Sequence, residues 1–231
     1  MRYFYVFPLF LAAALFFSGC TQQQKVVEDI VAAHPEHAKV VFENAYVNAV
    51  EFTLSPGDKL PLHKGGARVV YSLSDYKLKW TEADEESEKE WAKGDAHWHA
   101  GIDHAAENIG DTEAQYIVVT RTDSMLPDIG DYDISQDASQ LDPEHAKNIF
   151  ENEHVRIVEV MLPPGESQPL HQGINRLIYS LSSYNIKYVS DQIDKETQTE
   201  QGEAHWHAAD QHAVQNIGET DAHYIIFEFK K

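Results

Sequence analysis

A single cysteine in 231 residues excludes an intramolecular disulfide, so packing and hydrogen bonding must hold whatever fold forms. Basic residues are scarce: Lys and Arg total 18 against 38 Asp and Glu, a formal charge of -20. That balance excludes a nucleic-acid partner, because phosphate binding needs a basic footprint. It leaves room for a small cation, a metal, a small molecule or a protein. Past residue 17 there is no apolar run approaching the roughly 20 residues that span a bilayer as a helix. Amphipathic crossover helices of the length that a doubly wound α/β fold requires are also missing. What is present is enough apolar material for a core, 42% hydrophobic against 24% charged, and thirteen histidines whose placement is not random. At roughly 100–200 residues per domain, the length allows one or two domains.

The N-terminus reads as an address. Arg2 precedes an apolar run from Tyr3 to Phe17, broken only by Pro8, and the run ends in Phe17-Ser18-Gly19-Cys20. This is the length of a signal-peptide core. Small residues directly before a Cys resemble the bacterial lipoprotein signal, in which the thiol is lipidated and Cys20 becomes the new N-terminus. The alternative is an uncleaved anchor helix with an incidental Cys. Residues 1–20 are therefore expected to be a lipoprotein signal peptide. Residues 21–35 are a polar tether with a short helical stretch at Val26–Ala33. Thr21 after the Cys, where an Asp would signal retention at the inner membrane, points to an outer-membrane anchor facing the periplasm.

The remainder is one unit written twice. Glu36-His37-Ala38-Lys39 recurs as Glu144-His145-Ala146-Lys147, Pro61-Leu62-His63 as Pro169-Leu170-His171, and Ala96-His97-Trp98-His99-Ala100 as Ala204-His205-Trp206-His207-Ala208. Residues 34–123 laid on residues 142–231 without a gap share 41 of 90 positions. The division is domain 1 at 36–123, a Pro-, Gly- and Asp-bearing linker at 124–141, and domain 2 at 142–231. Within each copy the pattern is short strands and turns. Val40 to Phe42 and Val47 to Leu54 are apolar or β-branched and stop at Ser55-Pro56-Gly57-Asp58. Arg68 to Leu73, Lys77 to Trp80, Ala96 to Ala100 and Gln115 to Arg121 complete the set. Residues 82–90 are acidic and read as a solvated hairpin loop or a short exposed helix.

Each copy resembles a cupin, and the pair resembles a two-domain bicupin. The resemblance rests on Pro56-Gly57, Pro61-Leu62-His63 and the strand Val69 to Leu73, followed by Gly94 and then His104 with Asn108-Ile109-Gly110. Copy two repeats it at Pro164-Gly165, Pro169-Leu170-His171, Leu177 to Leu181, Gly202, His212 and Asn216-Ile217-Gly218. It implies an all-β chain of two tandem cupin-like jelly-roll β-barrels. It also implies a divalent transition metal (Zn, Fe, Ni, Mn or Cu) held by two His and a Glu from the first motif and a His from the second. The sequence departs from that set. The second His of motif one is Gly65 or Gly173, the Glu is absent, and Arg68 and Arg176 lie near its place. His63 with His104, and His171 with His212, are what match.

Two imidazoles are too few for a tight site. The His-Trp-His segments offer more, since residues two apart on a strand share a face. If His97 and His99 point inward, they could join His63 and His104, and His205 and His207 could join His171 and His212. If Trp98 and Trp206 point inward instead, they would wall a metal-free pocket for a small polar ligand, with Arg68, Tyr71, Arg176 and Tyr179 as further contacts. Tyr71 and Tyr179 read equally as plain packing. Glu107 is a poor candidate base, because copy two has Gln215 there. Two classes of function remain open. One is a binding module anchored to the membrane through Cys20, holding a metal or a small polar ligand. The other is a metal-dependent isomerase, lyase or oxygenase. Pairing of the two copies within one chain would leave the protein monomeric.

Overall fold

The computed structural model describes residues 29–230. The expected signal peptide, Cys20 and most of the expected tether lie outside them. In the first half, short β-branched runs become nine strands. These are β1 (Ala38–Glu43), β2 (Val47–Leu54), β3 (Lys59–His63), β4 (Arg68–Ser72), β5 (Tyr76–Glu82), β6 (Glu85–Trp91), β7 (Ala96–His99), β8 (His104–Asn108) and β9 (Ala114–Arg121). The second half repeats them as β10 (Ala146–Glu151), β11 (Val155–Leu162), β12 (Ser167–Gly173), β13 (Arg176–Ser180), β14 (Tyr184–Ser190), β15 (Asp194–Thr199), β16 (Ala204–His207), β17 (Asp210–Asn216) and β18 (Ala222–Phe229).

Each half is two antiparallel sheets. In the first, a five-stranded sheet runs β1-β2-β9-β4-β7 and a four-stranded sheet runs β3-β8-β5-β6. The second has the same orders, β10-β11-β18-β13-β16 and β12-β17-β14-β15. The repeat in sequence is thus a repeat in topology.

The central strands of the five-stranded sheets are buried on both faces, and this explains why their hydrophobic alternation is imperfect. One face of β4 and β9 turns into its own half. Val50, Phe52, Leu60, Val70, Leu78 and Tyr116 form that inner core, with an equivalent around Val158, Ile178 and Tyr224 in the second half. The other face meets the partner half. Val47, Val69, Ile117 and Val119 pack in one continuous cluster with Ile157, Leu177, Ile225, Phe227 and Phe229. Each such side chain contributes about 1.5–3 kcal/mol on burial, so the two halves are joined by core rather than by a loose contact. The contacts are reciprocal, β1 against β16 and β10 against β7, as a pseudo-twofold pairing requires.

Turn chemistry sets the strand ends. Ser55-Pro56-Gly57-Asp58 places Pro second and Gly third with φ +88°, the requirement of a type II turn, and Gly165 repeats it at +83°. Asn108, fully buried, holds this end together. Its Nδ2 donates to the carbonyls of Leu54 (2.8 Å) and Thr112 (2.9 Å), and its Oδ1 accepts from Gly110 N (3.0 Å). Before β1, the described part of the expected helical stretch forms α1 (Ile30–Ala33), capped by Asp29, and residues 26–28 lie outside the described residues. The connector carries a 3-10 turn (Ile134–Gln136) and α2 (Ala138–Leu141).

The acidic stretch 82–90 corrects the expectation of a loop or helix. Residues 85–91 form the edge strand β6, exposed for nearly its whole length. Lys77 and Lys79 on β5 neutralise it through Glu88 (2.9 Å) and Glu86 (3.7 Å). A charged edge resists pairing with other chains, and a solvated edge has little packing to preserve. That accounts for the drift between β6 and β15.

The β5–β6 hairpin turns on Ala83 (φ +48°) and Asp84 (φ +67°), between the paired Glu82 and Glu85. Two-residue turns with both φ positive favour Asn or Gly, and Ala is strained there. Ala83→Asn should raise stability by about 0.5–1 kcal/mol, read from the urea midpoint. An unchanged or lowered midpoint would contradict the turn assignment.

Candidate ligand-binding cavity

Register decides what enters each half. On the antiparallel pair β4–β7, Arg68 lies opposite His99, Val69 opposite Trp98 and Val70 opposite His97. Opposite residues share a face. Arg68, Val70, His97 and His99 therefore point between the two sheets, and Val69 and Trp98 point toward the other half. The question left open by the sequence is settled in favour of the histidines. Trp98 stacks on His154 of the second half (4.8 Å between ring centroids), and Trp206 packs against Tyr46 (5.5 Å) and Phe229 (5.9 Å). Tyr71 and Tyr179 join the same inter-half core. Tyr179 donates to Glu51 Oε2 across the halves (3.2 Å). These four aromatic residues, read from the sequence either as pocket walls or as facing away from the interior, pack at the pairing of the halves.

Between the sheets of the first half lies a cavity of about 290 Å³, near the lower end of small-molecule sites. His63, His97, His99, His104, Arg68, Trp80 and Trp91 line it, with an apolar floor of Val50, Phe52, Val70 and Leu78. The histidines do not converge on one point. They stand as two edge-to-face pairs, His63 with His104 (4.1 Å) and His97 with His99 (4.9 Å). Trp80 is stacked against both His104 (4.0 Å) and His99 (4.9 Å), and Trp91 against His97 (4.7 Å).

The all-histidine metal site is accordingly not assembled. No group of three or more His, Cys, Asp or Glu suited to a metal exists among the described residues. The reason is Arg68. Its Nη2 lies 3.2 and 3.3 Å from the two ring nitrogens of His104. His104 Nδ1 also faces Ile102 O at 3.2 Å, so a proton on Nδ1 leaves the Nε2 lone pair to the guanidinium. A Cβ on Gly65 would stand 2.6 Å from Arg68 Nη1 and 2.8 Å from His104 Nδ1. The space over Gly65 is filled by the Ile102 carbonyl, 2.0 Å from such a Cβ, and by the guanidinium. In the second half a Cβ on Gly173 would stand 2.7 Å from Arg176 Nη1, and Arg176 Nη2 lies 3.4 Å from both nitrogens of His212. A metal does not fit a donor set that already binds a guanidinium. His171, His205, His207 and His212 are likewise brought to one interior without forming a ligand set.

Burial, reinforced by the nearby cations Arg68 and Arg176, keeps the imidazoles neutral. It pushes His97 down to about 4 and His99 to about 3, and in the second half His205 to about 4 and His207 and His212 to about 3. Burial also lowers Arg68 to about 10. Arg68 is 5% exposed. Among the described residues no carboxylate lies within ion-pair distance of it. Its polar partners are His104 and the Gly66 carbonyl (2.9 Å). Three further cavity atoms are buried with no hydrogen-bond partner: Asn48 Oδ1, His97 Nδ1 and His99 Nε2. Glu107 is outside this set, tied to Lys59 (3.2 Å) and Lys79 (3.0 Å).

In the second half about 30 Å³ is left directly beside Arg176, the space of one water. Tyr188 replaces Trp80 there. The same Ile186, Tyr188, His205 and His207 also line an open groove of about 700 Å³ that reaches β1. Trp80, Trp91, Asn48, Tyr188 and Asp210 were not singled out from the sequence. A position-by-position reading of the two copies for changes of charge would have exposed Ile102 against Asp210.

The sequence matches no protein-family profile and no curated protein. Solved structures show the fold. AerE from Microcystis aeruginosa aligns with a TM-score of 0.55 at 17% identity, over 84% of this chain and 98% of that one. The oxalate decarboxylase of Lactobacillus farciminis, solved as a formate complex, aligns at 0.58 and 13% identity, over 84% and 80%. That of Bacillus subtilis aligns at 0.58 and 14%, over 86% and 70%. The chain therefore has a cupin-like fold in two similar halves.

The depressed histidine values carry a pH dependence. An imidazole neutral in the folded chain and protonated in the unfolded one makes the unfolded state bind more protons below about pH 6.5. The stability contribution is complete above that pH and is lost as pH falls toward the folded values. Replacing His97 and His99 with Asn should flatten the stability profile between pH 6.5 and 5 by up to about 1.4 kcal/mol per pH unit for each residue. A profile as steep as that of the wild type in urea titrations would contradict neutral imidazoles.

Proposed function

We propose that the chain is a binding protein of the bacterial envelope. In this reading Cys20 carries a lipid anchor in the outer membrane, and each half closes as a jelly-roll β-barrel. The first barrel holds a small polar organic molecule. The observation that carries the reading is the cavity of about 290 Å³ lined by three buried polar atoms without partners, Asn48 Oδ1, His97 Nδ1 and His99 Nε2. Leaving such atoms unmade costs about 1–3 kcal/mol each, and a ligand with hydroxyl, amide or carboxyl groups supplies what they lack. Trp80 and Trp91 offer flat apolar faces to the rest of that molecule. The donor geometry favours holding over turnover, since the two carboxylates nearest in sequence to His104, Asp103 and Glu107, do not line the cavity.

The test is thermal unfolding of the full chain in detergent against a panel of small polar metabolites, beside Val118→Phe, which fills the cavity from β9. A ligand at one hundred times its Kd stabilises by about 2.7 kcal/mol. At least one compound should raise the midpoint in the wild type and leave Val118→Phe unmoved. No shift with any compound, or equal shifts in both proteins, would contradict the reading.

A further inference from the structure

The duplication provides an internal control, because two copies of one site have been completed differently. In the second half Arg176 is 1% exposed and its Nη2 is 2.9 Å from Asp210 Oδ1. Tyr188 donates to the other oxygen of Asp210, and His212 Nδ1 lies 3.1 Å from the first. Burial alone would raise the Asp210 pKa. The His212 contact and the Arg176 charge outweigh it and hold the carboxylate well below its ordinary value. A second carboxylate, the buried Glu228, faces Arg176 across the β13–β18 register and binds Arg156 Nε at 2.5 Å.

The first half keeps the cation and has lost both acids. Ile102 stands where Asp210 does and is 46% exposed. Thr120 stands where Glu228 does, directly across from Arg68. Lys64, in place of Gln172, adds a second positive charge to the cavity lining. An isolated buried guanidinium is costly unless paired. The space in contact with the arginine also differs: Arg68 lines a cavity of about 290 Å³, whereas Arg176 lines about 30 Å³ and does not line the groove of about 700 Å³ on Tyr188, His205 and His207.

We infer that the ligand of the first half carries a carboxylate that pairs with Arg68, and that Asp210 is the second half's built-in substitute for it. The inference rests on the binding reading above and names the chemical class of its ligand. Arg68 forms the ion pair, with the fork geometry that suits a carboxylate. His99 Nε2 and His97 Nδ1 hydrogen-bond the polar groups beyond it. The indoles of Trp80 and Trp91 cover the apolar remainder of a monocarboxylate. The second half, internally neutralised, binds no such acid beside Arg176.

The probes are formate, acetate and benzoate, each against its amide (formamide, acetamide, benzamide), at constant ionic strength and pH 7.5, with the full chain in detergent. The readouts are the unfolding midpoint and tryptophan fluorescence. At least one carboxylate should shift both saturably, with its amide at least tenfold weaker, and Arg68→Gln should abolish the shift. A ligand-free arm stands beside it. Thr120→Glu or Ile102→Asp, supplying the internal acid, should raise the midpoint by about 3 °C and remove the carboxylate response. Asp210→Ala should lower the midpoint and be partly rescued by formate. Amides equal to carboxylates would overturn the carboxylate inference and leave the cavity reading standing. No response to any probe, together with a lowered midpoint in both acid variants, would overturn the inference as well. A carboxylate response that persists in Arg68→Gln would place the acid elsewhere and also overturn it.

Discussion

Each half of this protein is organised around a guanidinium almost wholly withdrawn from the surface. Arg68 and Arg176 rise from the same strand position beneath the same glycine, against the same histidine. A buried cation of this kind constrains everything around it, since its desolvation is expensive and must be offset locally. It adds to the burial that holds the imidazoles neutral, it takes up the space beside His104 and His212, and it forces a choice about where a negative charge will come from. The second half makes that choice within the chain, through Asp210, with Glu228 and Asp137 doing the same for Arg156. The first half leaves it open, and the cavity is the geometric expression of that opening.

The rest of the fold makes this arrangement affordable to pack. The strands that carry the arginines are buried on both faces, so β4 and β13 cannot tilt to expose the charge without unpacking the inter-half core. Val69, Tyr71, Leu177 and Tyr179 on the outer face lock Arg68, Val70, Arg176 and Ile178 on the inner face. Pairing of the halves and positioning of the sites are therefore one constraint. Trp98 and Trp206 show the same economy. They sit between interior histidines in sequence, and their packing against His154 and Tyr46 of the other half fixes which way those histidines point.

Much of this was legible in the sequence. The duplication, the short-strand pattern and the cupin-like motifs follow from spacing and turn residues, and the fold agrees with them. The inward direction of His63, His104 and Arg68 was within reach, but the facing of Ala96 to His99 was not, because a four-residue strand bounded by turns has no parity signal. Nor could residues 85–91 be read as a strand, since an edge held by Lys77 and Lys79 needs no apolar alternation. That the histidines form no ligand cluster among the described residues has a further reason. Counting imidazoles ignores what stands between them, and Trp80 and the Arg68 guanidinium become neighbours of His104 only through the pairing of β5 with β8 and of β4 with β9. Asp210 was hidden in a stretch where the copies diverge, and divergence there was the clue.

The claim that the two arginines differ in having an internal partner can be measured directly by comparing Arg68→Met with Arg176→Met in the ligand-free chain. Removing Arg176 strands the half-buried Asp210 carboxylate and should cost about 1.5–3 kcal/mol in urea unfolding. Removing Arg68 deletes an unpaired cation and should leave stability unchanged or raised. Equal losses in the two variants would contradict the account.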